Sequence, residues 1–428
     1  MGVSTSTVGA ETPPAWASDL AVVAIGIVAL AVAMGIGRFA FTPLLPLMLR
    51  DGSITPSAGA EWAAANYAGY LAGALTASRL GNRPRRGLLL ALAGVVLTTL
   101  AVAGGWGGAW GGAALRLAAG VFSAWTLVCA STWCLGELAR RGAAQRGAWI
   151  FTGVGIGIAV AGLLAWVGGE QSAAALWFEM GLLAALGSAG IAWAMWPGRP
   201  GPPAAKEAQA SASTAPPAAV PAAASLAAVA GPGAPRRQAG LVLCYGAMGF
   251  GYIAPATFLP AMARELVADP RVFGLTWPLF GLAAALSVAV AARWLARWPR
   301  RRVWALAQTA MALGTAVPLV NLAHPSLAAL ALSALFVGGT FMVATMAGLQ
   351  LARESAPAQP AALLARMTAA FAVGQIAGPL LVRLLAPAGL DHRSAVAAAL
   401  VLATLALLAS AAWLWRDGHP PIDRRPSP

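Results

Sequence analysis

The stretch MGIGRFAFTPLLPLM at residues 34–48 recurs as MGFGYIAPATFLPAM at residues 248–262, with seven of fifteen positions identical and no gap. The segments ASRLGNRPRRGLLLALA at 77–93 and AARWLARWPRRRVWALA at 291–307 keep the same offset of 214 residues and again share seven positions. Alanine richness inflates such matches, but one offset shared by two separate segments is hard to obtain by chance. The sequence therefore predicts two related halves in parallel repeat.

The composition is that of a membrane protein. The chain of 428 residues is 59% hydrophobic and 10% charged, whereas soluble domains carry about 25% charged residues. Apolar segments recur from Leu20 to Trp415, and about 20 apolar residues are enough for one helical span. Because these segments do not alternate polar and apolar residues, they do not fit the strands of a membrane barrel. We expect an all-α polytopic membrane protein.

The apolar segments divide the chain into two sets of six predicted spans. An N-terminal tail (1–19) precedes a six-helix bundle (20–196), a linker rich in Pro and Ala (197–237), a second six-helix bundle (238–416) and a C-terminal tail (417–428). The spans are predicted at 20–49, 59–80, 87–105, 111–138, 146–168, 172–196, 238–264, 272–296, 302–322, 326–352, 361–386 and 393–416. The linker composition is typical of disordered segments.

The net charge of +14 is explained by the positions of the basic residues. Most of them lie in alternate loops, in the linker and in the C-terminal tail; the two related loops carry Arg79, Arg83, Arg85, Arg86, Arg293 and Arg297. The positive-inside rule then places both termini in the cytoplasm and removes the need for a nucleic-acid partner. Residues 1–19 hold no Lys or Arg, so we expect the first span to be retained and not cleaved as a signal peptide.

Two of these stretches resemble a known family. GIGRFAFTPLLPLM in helix 1 and NYAGYLAGAL at residues 66–75 in helix 2 are similar to the major facilitator superfamily (MFS), in its YbfB/YjiJ-like branch. The resemblance implies two six-helix halves and secondary transport of a small molecule across the cell (inner) membrane by alternating access. It also implies a monomer in the lipid bilayer, with no enzymatic activity and no cofactor.

Superfamily signatures are matched in part. Gly73 and the basic cluster fit the signature of the loop between helices 2 and 3, but Ala77 stands where an acidic residue is usual. Arg116-Leu-Ala-Ala-Gly120 in helix 4 resembles the Arg-x-x-x-Gly pattern of proton-coupled members. The resemblance implies coupling to protons, while Ala77 puts the gating salt bridge of that loop in doubt.

Glycines at four-residue spacing form a second signature. Gly153 and Gly157 in helix 5 resemble the antiporter motif, which recurs in helix 11 as Gly374-Gln-Ile-Ala-Gly378-Pro379. Such spacing lets two helix backbones approach closely. We expect these glycines to form a packed pivot between the halves; ordinary static packing is the alternative.

The repeated stretch contains one asymmetric residue. Gly35, Gly37 and Pro46 have counterparts in the second copy and indicate shared architecture, whereas Tyr252 replaces Arg38. A charge near the bilayer centre costs roughly 2.5–3.5 kcal/mol. At about 1.5 Å per residue, Arg38 falls in the outer half of its span. It would either extend to the headgroups or face a water-filled cavity or gate.

Two further arginines are predicted near the same face of the membrane. With Arg38, Arg116 and Arg383 would form a positive outer vestibule that attracts anionic groups. Alternatively, each would pair with its own helix terminus or a lipid phosphate. Glu179 is the carboxylate predicted deepest in a span, and an arginine neighbour would make it a proton switch; an interfacial carboxylate in water is the alternative.

Several polar and aromatic residues are candidates for lining a substrate cavity. They are Asn66, Tyr67, Tyr70, Trp125, Tyr252 and Gln375. For Asn66 and Gln375, hydrogen bonding between helices is an equal alternative. Three cysteines within apolar stretches read as small buried hydrophobes, and no metal-ligand spacing is present.

The residues and the resemblance together predict a secondary transporter for a small organic solute. Proton coupling is expected, with efflux by antiport as one mode. Proton-symport uptake of an organic anion is a second hypothesis. A membrane sensor or scaffold that retains the fold without transport is the third, and Ala77 is the feature that favours it.

Overall fold

The computed structural model describes residues 18–80, 83–105, 108–196, 234–266, 275–324, 326–357, 359–385 and 392–416. Within these residues the chain forms twelve long helices and no strand. The helices are α1 (Asp19–Arg50), α2 (Pro56–Thr76), α3 (Pro84–Ala103), α4 (Gly108–Arg140), α5 (Ala144–Val167), α6 (Ala173–Ala194), α7 (Ala234–Leu266), α8 (Thr276–Trp294), α9 (Arg300–Ala323), α10 (Leu327–Ser355), α11 (Pro360–Leu385) and α12 (His392–Arg416).

The predicted fold class is confirmed. Each predicted span matches one helix with ends that agree to about four residues. Among the described residues, eleven of the helices are long and apolar enough to cross a membrane. The other is α2, which has 21 residues and continues into a 3₁₀ turn at Ala77–Leu80. The predicted tails and linker lie outside the described residues, except for their borders.

Helix α1 is irregular over the stretch that repeats. It is α-helical at Asp19–Leu30, π-helical at Ala31–Phe39 and α-helical again at Phe41–Arg50. In a π-helix the carbonyl of residue i pairs with the N–H of residue i+5, and Pro43, just after this segment, has no N–H to donate. The carbonyls of Gly37 and Arg38 accept hydrogen bonds from Arg116 in α4.

The prediction that the motif glycines form a pivot between the halves is wrong, because these glycines contact helices of their own half. A Cβ on Gly153 would meet the backbone of Ile27 in α1, and one on Gly374 would meet the carbonyl of Gly246 in α7. A Cβ on Gly35 in α1 would likewise meet the backbone of Gly157 in α5. These glycines thus pack helices within one half, as Gly378 does against Ile253. The side chain of Pro379 lies outside the described residues.

The halves meet through the other face of α5. A Cβ on Gly155 would lie 2.7 Å from the carbonyl oxygen of Gly281 in α8, and one on Gly162 would lie 2.7 Å from the nitrogen of Pro278. At 3.6 residues per turn, Gly155 points about 200° away from Gly153. The motif glycines therefore hold α1, and the glycines between and beyond them contact the second half.

The end of the bundle that holds the last turns of α4 and α10 is called the basic end here. Arg353 of α10 donates from Nη1 to the carbonyl of Thr132 in α4 at 3.2 Å, which joins the halves. Ala77, at the position where an acidic residue is usual, is fully buried. The predicted loop arginines lie at this end, and Arg79, Arg83, Arg86, Arg293 and Arg297 are exposed whereas Arg85 is half-buried.

At the end of the bundle opposite the basic end, polar contacts join two helices of the first half. Asp51 accepts a hydrogen bond from the backbone N–H of Ala173, the first residue of α6, at 2.6 Å. Arg50 donates to the carbonyl of Gln171 at 2.5 Å and to that of Gly169. The end of α1 is thereby tied to the start of α6. The hydrogen bonds from Arg50 and Ala173 hold the pKa of the Asp51 carboxyl below its usual value.

Candidate functional site

Arg38 lies between the two halves and not at the membrane surface. The side chain is 3% exposed, which excludes the alternative that it extends to the headgroups. Its Nη2 donates to Oε1 of Gln375 in α11, a residue 337 positions later. No hydrogen bond of good geometry involves its Nε or Nη1. Of the five N–H groups of a guanidinium, the three on these two nitrogens are therefore unpaired.

Aromatic rings cover the Arg38 guanidinium. Its central carbon lies 3.8 Å from the centroid of the Tyr70 ring, and 5.7 Å and 5.3 Å from those of Tyr67 and Phe39. A cation over an aromatic face is stabilised by the ring quadrupole, by up to about 2 kcal/mol in a desolvated site. These rings lower the cost of burying the charge, but they supply no counter-charge.

Arg116 has a different surrounding. It is 2% exposed and donates from Nη1 to the carbonyl of Gly37 and from Nη2 to that of Arg38, both at 2.9 Å. Both carbonyls belong to the π-helical segment of α1. Arg116 thus clamps α4 to α1. The alternative that it pairs with its own helix terminus or a lipid phosphate is excluded by these contacts.

The remaining polar candidates divide between the site and the helix contacts. Asn66 donates from Nδ2 to the carbonyl of Arg116 at 2.9 Å, which is the interhelical role proposed as its alternative. Trp125 donates to the hydroxyl of Thr76 at 2.9 Å and so joins α4 to α2 away from Arg38. Gly73 packs against the backbone of Val121 in the same helix pair. Gln375 serves the site directly, with its Nε2 buried and unpaired.

Tyr252 in α7 is part of a row of stacked aromatic rings in the second half. Its centroid lies 4.9 Å from that of Phe341, which is 5.5 Å from Phe280, which is 5.5 Å from Trp277. Tyr252 is 2% exposed and lies in α7 at the position that the repeat makes equivalent to Arg38.

Among the described residues, no carboxylate forms an ion pair with Arg38 or Arg116. Asp19, Asp51, Glu137 and Glu354 form ion pairs with other arginines. Glu179 is half-buried, and no hydrogen bond or ion pair joins it to either arginine. The side chain of Arg383 lies outside the described residues. Of the three arginines predicted to form an outer vestibule, Arg38 and Arg116 are buried.

Tyr67, predicted as a cavity-lining candidate, lies beside Arg38, but other residues escaped the sequence reasoning. Phe341 is a single aromatic in an apolar helix, and nothing in its spacing distinguishes it from an ordinary core residue. Gly155, Ala159 and Gly162 carry a readable signal, because small residues spaced four and three apart share one helix face. The same described residues contain no group of side chains suited to a metal ion.

Comparison with known proteins agrees with this architecture. A family model described as the uncharacterised MFS-type transporter YbfB matches residues 30–414. No curated protein matches the chain. The match runs from α1 to α12 and includes Arg38, Arg116 and Gln375. The chain is a multi-pass membrane transporter and not an enzyme, and it belongs to the MFS family of the uncharacterised transporter YbfB.

Proposed function

We propose that this protein is a secondary transporter of small organic anions, in which Arg38 binds the anionic group. The observation that carries the proposal is the Arg38 guanidinium, buried with Nε and Nη1 unpaired. A buried charge without a counter-charge is costly. An anionic solute would supply both the counter-charge and the missing acceptor oxygens.

The contacts between the halves support alternating access. Gln375 links Arg38 to α11 in the middle of the bundle, and Arg353 links the halves at the basic end. An anion that accepts hydrogen bonds from Arg38 would weaken the contact between Arg38 and Gln375 as it binds. The second contact must break for the basic end to open. Between them, the close α5–α8 contact at Gly155 and Gly281 offers a surface about which the halves can rock.

Proton symport fits an anion site better than the proton antiport first expected. An anion entering a cell moves against an inside-negative potential, at about 2.3 kcal/mol per charge per 100 mV. A proton carried in the same direction removes this cost. Glu179 remains the candidate proton carrier among the span carboxylates, although the solute's own acid group can fill that role.

We further propose the cell (inner) membrane as the location, with the basic end and both termini in the cytoplasm, and a monomer as the working unit. The exposed arginines of the loops after α2 and α8 support this orientation.

The test is uptake into proteoliposomes with an alkaline interior and a panel of labelled monocarboxylates, amines and sugars. We expect uptake of one or more carboxylates, and loss of at least tenfold in rate in Arg38→Ala. Arg366→Ala is the matched control, because this exposed arginine makes one hydrogen bond, to Gln238. Flux of amines or sugars that is unaffected by Arg38→Ala would contradict the anion site. Absence of flux for every solute under either gradient would favour the sensor or scaffold.

A further inference from the structure

A hydrogen bond joins the charged residue of the first half to a neutral residue of the second. Nη2 of Arg38 donates to Oε1 of Gln375, and the two side chains are 3% and 0% exposed. A buried charge is costly unless hydrogen-bond partners surround it. The Gln375 oxygen is an acceptor that belongs to the chain itself, and so it is available to Arg38 whether or not a solute is bound.

Each partner of this bond is held by its own half. Arg116 in α4 donates to the carbonyl of Arg38 at 2.9 Å, which ties the main chain of Arg38 to the first half. Gln375 follows Gly374, where a Cβ would lie 2.7 Å from the main-chain nitrogen of Phe250 in α7. The helix that carries Gln375 is therefore packed tightly within the second half. The bond between Arg38 and Gln375 must form or break with the arrangement of the halves.

The loaded and the unloaded carrier make different demands on Arg38. A bound anion supplies the counter-charge and the acceptor oxygens. When the carrier returns without an anion, acceptors must come from the chain, because enclosing the charge without them is costly. A carrier that lacked such acceptors would be limited to exchanging one anion for another. Among the described residues no carboxylate forms an ion pair with Arg38, and the acceptor that α11 supplies is Gln375.

We propose that Gln375 replaces an oxygen of the anion when the carrier returns without solute, so that the protein performs net transport and not obligatory exchange. This inference rests on the proposed function and assigns the mode of transport at the same site. An amide is suited to the role because its oxygen carries only a partial charge. It accepts from Arg38, yet it yields to a carboxylate, whose full charge and two oxygens bind a guanidinium more strongly.

The test compares net uptake with counterflow in proteoliposomes, with labelled lactate, pyruvate and gluconate as probes. Net uptake requires the carrier to return without solute, whereas counterflow requires only the loaded carrier to reorient. Gln375→Met removes the acceptor at nearly the same side-chain length, and Gln375→Leu is the second variant if the first does not fold. We expect the ratio of net uptake to counterflow to fall about tenfold or more, the factor that corresponds to one hydrogen bond to a charged group.

The matched control is Gln308→Met. Gln308 is also fully buried, and it donates from Nε2 to the carbonyl of Cys244 at 3.2 Å within the second half. Its loss should leave the ratio at the wild-type value, because this hydrogen bond does not cross the halves.

Gln375→Glu gives a readout that a role in packing alone would not change. A carboxylate at this position would be a permanent counter-charge for Arg38 and would compete with the solute. We expect the probe concentration at half-maximal counterflow to rise about tenfold or more.

The outcomes separate this inference from the proposed function. Net uptake and counterflow that fall by the same factor in Gln375→Met, or that both keep their wild-type rates, would overturn the role of Gln375 and leave the anion proposal standing. Counterflow without net uptake in the wild-type protein would do the same. Absence of counterflow for all three probes in the wild-type protein would overturn both proposals.

Discussion

Two buried arginines in neighbouring helices have opposite roles, which their contacts distinguish. Arg116 donates to two main-chain carbonyls of α1, so its charge stabilises the irregular turn. Arg38 donates to one amide oxygen and keeps most of its N–H groups unpaired. Both are single charges in apolar segments, and sequence alone predicted the same vestibule role for both. The tertiary structure makes the distinction, because the acceptors of both arginines lie on other helices.

The clamp at Arg116 predicts a stability effect. Arg116→Met removes both donors and leaves the carbonyls of Gly37 and Arg38 buried and unpaired. Hydrogen bonds from charged groups contribute about 1.5–3 kcal/mol each in soluble proteins, and values in membranes are smaller, so we expect a loss of about 2–4 kcal/mol. The measurement is equilibrium unfolding of the purified protein in mixed micelles. Wild-type stability in Arg116→Met would show that the clamp is dispensable.

Asp51 predicts a pH dependence at the opposite end. Its folded-state pKa is lowered by hydrogen bonds from Arg50 and from the N–H of Ala173. A lowered pKa contributes stability that is fully present above the unfolded value of about 3.9 and is lost as the pH falls through the folded value. We therefore expect Asp51→Asn to lower the melting temperature at pH 7, and the difference from wild type to shrink below about pH 4.

The control for this comparison is Glu61→Gln, a change at an exposed carboxylate of α2. Melting temperatures between pH 3 and pH 7 are the readout. A difference between wild type and Asp51→Asn that stays constant down to pH 3 would contradict the contribution assigned to the ionised carboxylate.

At the scale of the elements, the sequence predicts where each helix lies along the chain. It predicts only in part which neighbour each helix face contacts. The twelve segments are long and apolar, which sets their place in the chain. The π-helical segment of α1 was not predicted from the sequence. The glycines of α5 were noticed as a motif but assigned to the wrong neighbour. Motif spacing identifies a close contact, and the tertiary structure decides which helix occupies it.

The α5–α8 contact predicts a transport defect without loss of the fold. Gly281→Val would place side-chain atoms within 2.7 Å of the Cα of Ala159 across the halves, where neither backbone can yield without separating the helices. Gly190→Val is the matched control, because a Cβ at this helical glycine meets nothing within 4 Å. We expect flux to fall at least tenfold in Gly281→Val and to persist in Gly190→Val. Equal flux in both variants would show that the halves do not need the α5–α8 contact as a surface about which to rock.

At the scale of the whole molecule, the sequence predicts the repeat but not the site that the repeat assembles. The offset of 214 residues identified two halves and singled out Arg38 as asymmetric. Its partner Gln375 lies 337 residues away, and no local pattern connects the two. Pairing across the halves depends on how two bundles dock, which local periodicity does not encode.

The orientation in the membrane is tested by cysteine labelling. The native Cys129, Cys134 and Cys244 are all buried, which keeps the background low. Arg297→Cys at the basic end and Gln171→Cys at the opposite end both replace exposed residues. We expect a membrane-impermeant maleimide to label the residue at 171 and not the residue at 297 in intact cells. The reverse pattern would place the basic end outside.

The most direct test of the central claim is counterflow in proteoliposomes. Vesicles loaded with unlabelled carboxylate are diluted into a trace of the labelled compound, with no pH gradient and no membrane potential. A carrier that alternates around one site should accumulate label transiently above equilibrium, and Arg38→Ala should abolish that overshoot while Arg366→Ala retains it. The same overshoot in Arg38→Ala, or label that only equilibrates in the wild-type vesicles, would contradict an Arg38-centred anion carrier.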